Sequence, residues 1–311
     1  MKVLISGASG LVGSALTRSL EADNHQVIRL VRNESQASEP DAVLWSPTDG
    51  TVDSDALIRH GRLDAVVHLA GEGVAARRWT TAQKARILNS RVDGTRTLAE
   101  ALAGLPERPG VLVSASAIGW YGDRGAEWVE ESDGSGEMFL SEVCREWEAA
   151  AQAAGEAGIR VVHHRIGVIL DKNGGALAKM LLPFKLGLGG RVGSGKQYWS
   201  WITLADLVAS IRHVIDDETI SGAVNAVAPT PSTNLEFTRS LGRVLRRPTI
   251  FPLPAFVARV MLGQMADELL LGGVRVRATV LEQTGFEWAD PELDGALERI
   301  LSGSRKPAAT S

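Results

Sequence analysis

The sequence predicts an α/β protein: a doubly wound parallel sheet with a smaller, mostly helical C-terminal lobe. Three observations predict it. Short apolar runs alternate with amphipathic helical stretches through residues 1–170. A glycine turn, Gly7-Ala8-Ser9-Gly10-Leu11-Val12-Gly13, joins the first apolar run to the first helix. The pattern then changes: glycines crowd residues 171–200, and helices with short connections follow.

The elements read in order. Lys2 to Ser6 is a short strand, and a helix runs from Val12 to Glu21. Strands follow at Gln26 to Val31 and Ala42 to Trp45. Asp64 to Ala70 is apolar throughout its centre, as a parallel strand covered on both faces must be. A long helix spans Gln83 to Leu102, a strand Gly110 to Ser114, a second long helix Met138 to Ala154, and a strand Arg160 to Ile166. Residues 1–170 thus form one domain, to which later segments return; residues 171–301 form the lobe. Its helices read Leu204 to Asp216, Leu235 to Leu245, Pro254 to Leu271 and Asp290 to Leu301. Residues 302–311 read as a disordered polar tail.

Composition bounds the function. The chain has 311 residues, 44% hydrophobic and 23% charged, as in an ordinary globular protein. A net charge of −4 gives no sign of a nucleic-acid surface or a polybasic membrane patch. The single cysteine, Cys144, excludes a disulfide framework within the chain. His163-His164 lack partners at metal-ligand spacing, so no metal is expected. The N-terminal apolar run is broken by glycines at strand-to-turn spacing, which argues against a signal peptide. No stretch approaches the ~20 apolar residues that span a bilayer. The expected location is cytoplasmic, with neither nucleic acid nor membrane as partner.

The glycine turn follows a strand and opens a helix, the context of a Rossmann-type dinucleotide site. Gly7 permits the turn, Gly10 admits the pyrophosphate, and Gly13 lets helix and strand pack closely. Ser9, Leu11 and Val12 lie where the helix N-terminus offers free N–H groups to phosphate. The second strand ends Arg29-Leu30-Val31-Arg32-Asn33, with no acid before Glu34. An acid there would hold a ribose 2′-hydroxyl, whereas Arg32 suits a 2′-phosphate, so the expected cofactor is NADP(H). The alternative for Arg32 is a solvated loop arginine. Trp45 either flanks the adenine or fills the core. Trp199 and Trp201 either wall a substrate pocket or pack inside the lobe.

Together these motifs resemble the extended short-chain dehydrogenase/reductase superfamily. The resemblance rests on the Gly7/Gly10/Gly13 spacing, His68-Leu69-Ala70-Gly71, Val92-Asp93-Gly94-Thr95, Ser114-Ala115-Ser116-Ala117 with Tyr121-Gly122, and Arg165-Ile166-Gly167-Val168. Gly119-Trp120-Tyr121-Gly122-Asp123-Arg124-Gly125 and Asn225-Ala226-Val227-Ala228-Pro229 are similar to its atypical epimerase-family branch, which has its own C-terminal domain. The resemblance covers residues 1–301. It implies cofactor contacts from Leu69, Ala70, Gly71, Glu72, Arg165, Gly167 and Val168, a small-molecule substrate, and a homodimer through the two long helices.

One departure matters. The superfamily uses a Tyr-x-x-x-Lys pair on the helix after the serine strand, the lysine lowering the phenol pKa. Aligning Glu148 with the superfamily's downstream glutamate puts Leu140 and Cys144 at those positions. Neither of the two tyrosines, Tyr121 and Tyr198, starts such a motif. Ser116 and Tyr121 are then the expected substrate contacts, Ser116 having an equal reading as a small strand-end residue. Arg91 stands where the superfamily motif carries Asn. The expected function is an NADP(H)-dependent, epimerase-like oxidoreductase acting on a nucleotide sugar or carbonyl compound; the alternative is a non-catalytic NADP(H)-binding sensor or scaffold.

Overall fold

The computed structural model describes residues 1–302. The predicted tail lies outside the described residues, apart from Ser302, which ends the last helix. The chain forms two compact units that interleave in sequence. One comprises Met1–Trp120, Glu142–Arg165 and Ile211–Val224. The other comprises Tyr121–Ser141, Ile166–Ser210 and the residues from Asn225 onward.

Chain order begins with β1 (Lys2–Ser6), α1 (Leu11–Ala22), β2 (Gln26–Val31), β3 (Ala42–Ser46), β4 (Thr51–Val52) and β5 (Ala65–His68). It continues with α2 (Thr81–Ala103), β6 (Val111–Ala117), α3 (Phe139–Ala149), β7 (Arg160–Ile166), β8 (Val168–Asp171) and α4 (Gly175–Lys185). The remaining main elements are β9 (Trp201–Thr203), α5 (Leu204–Asp216), β10 (Gly222–Ala226), α6 (Asn234–Leu245), α7 (Ala255–Leu262) and α8 (Leu293–Ser302).

Eight strands form one sheet in the order β10-β7-β6-β5-β1-β2-β3-β4. β1 pairs in parallel with β2 and β5, and β2–β3 and β5–β6 are parallel as well. β4 turns back, pairing antiparallel with β3. Every residue of β5 is buried, which explains its unbroken apolar run. Leu4, Ile28, Val66 and Leu112 from four strands pack with Leu98 and Leu102 of α2. The other unit has its own core, where Trp201, Phe237, Leu241 and Leu297 meet. The core reading therefore holds for Trp201 and Trp199, and for Trp45, which is 3% exposed among the aliphatics of the first core.

Three helix predictions need correction. The helix expected over 138–154 is two, α3 and Gln152–Glu156. The helix expected over 254–271 is α7, a short turn Gln264–Ala266 and a π turn Asp267–Leu271, divided at Gly263. The last helix starts at Leu293 rather than Asp290, whose buried side chain pairs with Arg299.

Candidate functional site

Ser6 closes β1 and organises the site. Its hydroxyl lies 2.6 Å from His68 Nδ1 and accepts hydrogen bonds from the N–H groups of Leu69 (3.1 Å) and Ala70 (3.3 Å). The ends of β1 and β5 are thereby tied together, bringing the 69–72 loop against the glycine turn. Gly7 adopts φ +71°, and a Cβ there would stand 3.0 Å from Ala70 N. A Cβ on Gly13 would stand 2.2 Å from Gly7 O, so any other residue would force the turn open. Gly10 N donates to Gly7 O and caps α1 without a side chain. The first amides of α1, at Leu11 and Val12, therefore face no capping group, and Ser9 and Gly10 are exposed. This is a cradle shaped for a pyrophosphate.

Arg32, one residue past β2, is exposed and forms no ion pair among the described residues. Arg29 differs: it is paired with Glu39. Asn33 accepts a hydrogen bond from Ser35 N and so directs the chain away in a short helix, Glu34–Ala37.

The loop after β5 rests on α2. Glu72 N donates to Ser90 Oγ (3.0 Å), and the Glu72 carboxylate accepts from Gln83 Nε2 (3.1 Å). Arg91 donates through Nη1 to Glu72 O (2.8 Å) and Ile87 O (3.1 Å), and its guanidinium lies 4.9 Å from the Trp147 ring centre. Among the described residues it has no carboxylate within bonding distance, and burial lowers its pKa. A Cβ on Gly71 would stand 3.3 Å from Arg91 Cζ, so the absence of a side chain there lets this cation sit close beneath the loop. His68 is fully buried against Trp45 at 5.8 Å, and burial, aided by the Arg91 charge, holds its pKa down to about 4. It is a neutral structural residue.

At the end of β6, Ser116 Oγ donates to Glu148 Oε1 at 2.6 Å. Arg165 grips the same carboxylate at both oxygens, Nε to Oε1 at 2.9 Å and Nη2 to Oε2 at 3.0 Å, and stacks 3.9 Å from the Trp120 ring centre. Arg165 and Glu148 are 4% and 10% exposed. Arg165 is thus committed to holding Glu148, which corrects its expected place among the cofactor contacts. Cys144, at the superfamily lysine position, sends its thiol toward Ala117 O at 3.5 Å, and burial, with Glu148 nearby, pushes its pKa up to about 11. No cation replaces the lysine at that position.

Tyr121 also needs correction. Its side chain is fully buried, and its hydroxyl donates to Asn225 Oδ1 at 2.8 Å. Asn225 is in turn held by Glu131 and by Arg277 O. The phenol is an internal strut of the second unit, with no surface for a substrate. Gly167 and Val168 belong to that unit too: Gly167 N donates to Ala226 O, and Val168 pairs with Trp201. Among the described residues, no three His, Cys, Asp or Glu side chains could hold a metal ion. Nor is any described helix long and apolar enough to cross a membrane.

Sequence reading overlooked the partnership of Glu148 with Ser116 and Arg165. A carboxylate on an amphipathic helix carries no mark of facing inward. The available hint is the alignment of Glu148 with the superfamily's downstream glutamate, which marks the position without naming its partners.

A parallel sheet with this cradle defines a dinucleotide-binding protein of the short-chain dehydrogenase/reductase type. The chain belongs to the NAD dependent epimerase/dehydratase family, whose profile matches residues 3–226. A domain of unknown function, DUF1731, matches residues 253–300. An epimerase family protein of Mycobacterium bovis is 42% identical, over 95% of this chain and 96% of the relative. The human epimerase family protein SDR39U1 is 36% identical, over 97% of this chain and 100% of the relative. A crystal structure of human SDR39U1 (isoform 2) with NADPH matches with a TM-score of 0.88 at 34% identity, covering 98% of this chain and 100% of that one.

Proposed function

We propose that the chain is an NADP(H)-binding, epimerase-like oxidoreductase acting on a small molecule that carries a secondary hydroxyl or carbonyl, as nucleotide sugars do. The observation that carries the cofactor choice is Arg32: an exposed arginine without an acidic partner, one residue past β2, beside an open glycine turn. The human relative solved with NADPH supports the same choice. A bound nicotinamide supplies hydride transfer. The chain's own residues bind and orient. Leu11 and Val12 offer amides to the pyrophosphate, Arg32 offers a planar fork to the 2′-phosphate, and Arg91 adds a second cation.

Ser116 is itself 2% exposed, so it orients a substrate only where that substrate enters at the end of β6. Its proton is already donated to Glu148, so its oxygen is left with lone pairs. It therefore accepts from a hydroxyl better than it donates to a carbonyl, which favours the alcohol form of the substrate. Arg165 fixes the carboxylate that fixes Ser116.

Titrating NADPH and NADH against tryptophan fluorescence tests the cofactor choice. NADPH binds more tightly, and Arg32→Ala lowers its affinity by about tenfold to a hundredfold while leaving NADH unchanged, as loss of a charge-assisted contact requires. Arg91→Met weakens both dinucleotides alike. Tighter binding of NADH would overturn the assignment.

The second reading, a cofactor-binding sensor or scaffold without turnover, is favoured by Leu140 and the neutral thiol of Cys144 at the usual Tyr and Lys positions. Following NADPH or NADP absorbance with sugar nucleotides, alcohols and carbonyl compounds separates the two. Turnover that falls at least tenfold in Ser116→Ala excludes the scaffold; no turnover with any substrate, in a protein that still binds NADPH, excludes the enzyme.

A further inference from the structure

Large apolar side chains at the surface are not scattered over this molecule. Eight of the eleven exposed ones among the described residues fall between residues 182 and 261, each 54% to 73% exposed. Leu182, Leu186 and Leu188 lie at the end of α4 and just beyond it. Ile250 and Phe251 lie in the segment before α7, and Phe256, Val260 and Met261 lie on α7 itself. The backbone segments that carry them touch. Val192 bridges Leu253, Arg247 Nε donates to Lys185 O at 2.9 Å, and a Cβ on Gly187 would stand 3.8 Å from Pro248.

The same two segments are uniformly basic. Residues 172–205 contain five Lys or Arg and no Asp or Glu, and residues 237–266 contain five Arg and no Asp or Glu. Lys179, Lys185, Arg191, Arg246 and Arg247 are exposed. The acids at the borders are engaged. Glu236 caps α6, Asp267 pairs with Arg259, and Glu268 accepts from Phe139 N and Leu140 N. Arg243 and Arg259 are paired with Asp294 and Asp267, whereas Lys185, Arg191, Arg246 and Arg247 form no ion pair with a carboxylate among the described residues. A chain with a net charge of −4, which by itself gives no sign of a membrane patch, thus gathers a local excess of basic and apolar side chains on these two segments.

We propose that this face of the second unit docks on an anionic lipid surface. Protruding leucines and phenylalanines flanked by lysine and arginine match a bilayer interface, where apolar side chains enter the headgroup boundary and cations meet phosphate. A second copy of the chain is a poor occupant, because self-association through this face would bring two surfaces with an excess of the same charge together. Each of these apolar side chains is more than half exposed and so is available to enter a headgroup boundary. The inference is independent of the cofactor reading.

Flotation of the full chain with vesicles tests it. The protein floats with phosphatidylcholine vesicles containing phosphatidylglycerol, stays behind with phosphatidylcholine alone, and is released by salt. Lys179→Glu combined with Lys185→Glu lowers partitioning about tenfold or more. Phe256→Ser combined with Val260→Ser abolishes it. Unchanged circular dichroism and an unchanged melting temperature confirm that both variants are folded. No flotation with phosphatidylglycerol, equal flotation with phosphatidylcholine alone, or binding to polyglutamate without flotation would each overturn the proposal. So would a dimer in sedimentation that Phe256→Ser dissociates.

Discussion

A single histidine shows how burial becomes a pH response. His68 is locked between Ser6 and Trp45 with the Arg91 charge nearby, and its pKa lies at about 4 instead of the usual 6.5. The folded chain therefore keeps it neutral where the unfolded chain already takes up a proton. The stability tied to that neutrality is complete above pH 6.5 and drains as pH falls toward 4. One such group accounts for on the order of 3 kcal/mol. His164, fully buried with a pKa of about 3, acts in the same direction. Urea denaturation across this window shows the midpoint falling before most carboxylates titrate. His68→Asn, which keeps a polar group toward Ser6, flattens the slope; an unchanged slope in that variant would remove His68 from the account.

Elements differ in how well their sequences announce them. The β1–turn–α1 unit is fully legible because each glycine has a local duty. Gly13→Ala makes the point: the new methyl would meet Gly7 O at 2.2 Å, a backbone atom that cannot yield without opening the cradle. The expected cost is about 1–3 kcal/mol, read as a lower melting temperature, together with an NADPH affinity at least tenfold weaker. A variant with wild-type binding would show that the turn tolerates a side chain. The break after α3 is illegible by contrast. Ala149-Ala150-Ala151 holds no breaker, yet the helix ends there, with Ala151 and Ala154 packed into the sheet core. Tertiary packing overrides propensity at that point. Tyr121 misled for a related reason. Position in a motif places a residue along the chain, whereas a buried acceptor such as Asn225, 104 residues away, decides what its hydroxyl does.

At the scale of the whole molecule, the first unit is not a contiguous length of chain, and an N-terminal fragment ending near residue 170 omits part of it. Ile211–Val224 returns to that unit. Arg160 of β7 donates to three carbonyls of the returning segment, Val214 O at 2.8 Å, Ile220 O at 2.7 Å and Ile215 O at 3.0 Å. Arg212 reaches α1 and the residue after it, donating to Ser19 Oγ at 2.9 Å and pairing with Asp23 at 2.6 Å. A fragment of residues 1–170 keeps the glycine turn, Arg32 and Ser116 yet loses these contacts and the edge strand β10. It is expected to bind a hydrophobic dye, unfold without a sharp transition and bind NADPH at least tenfold more weakly than the full chain. Because such a fragment also lacks the second unit, Arg160→Met in the full chain isolates the returning segment. Leaving those carbonyls without their donor lowers stability by about 1–3 kcal/mol. Cooperative unfolding and full NADPH affinity in the fragment, together with a silent Arg160→Met, would mean that residues 1–170 carry the dinucleotide site alone.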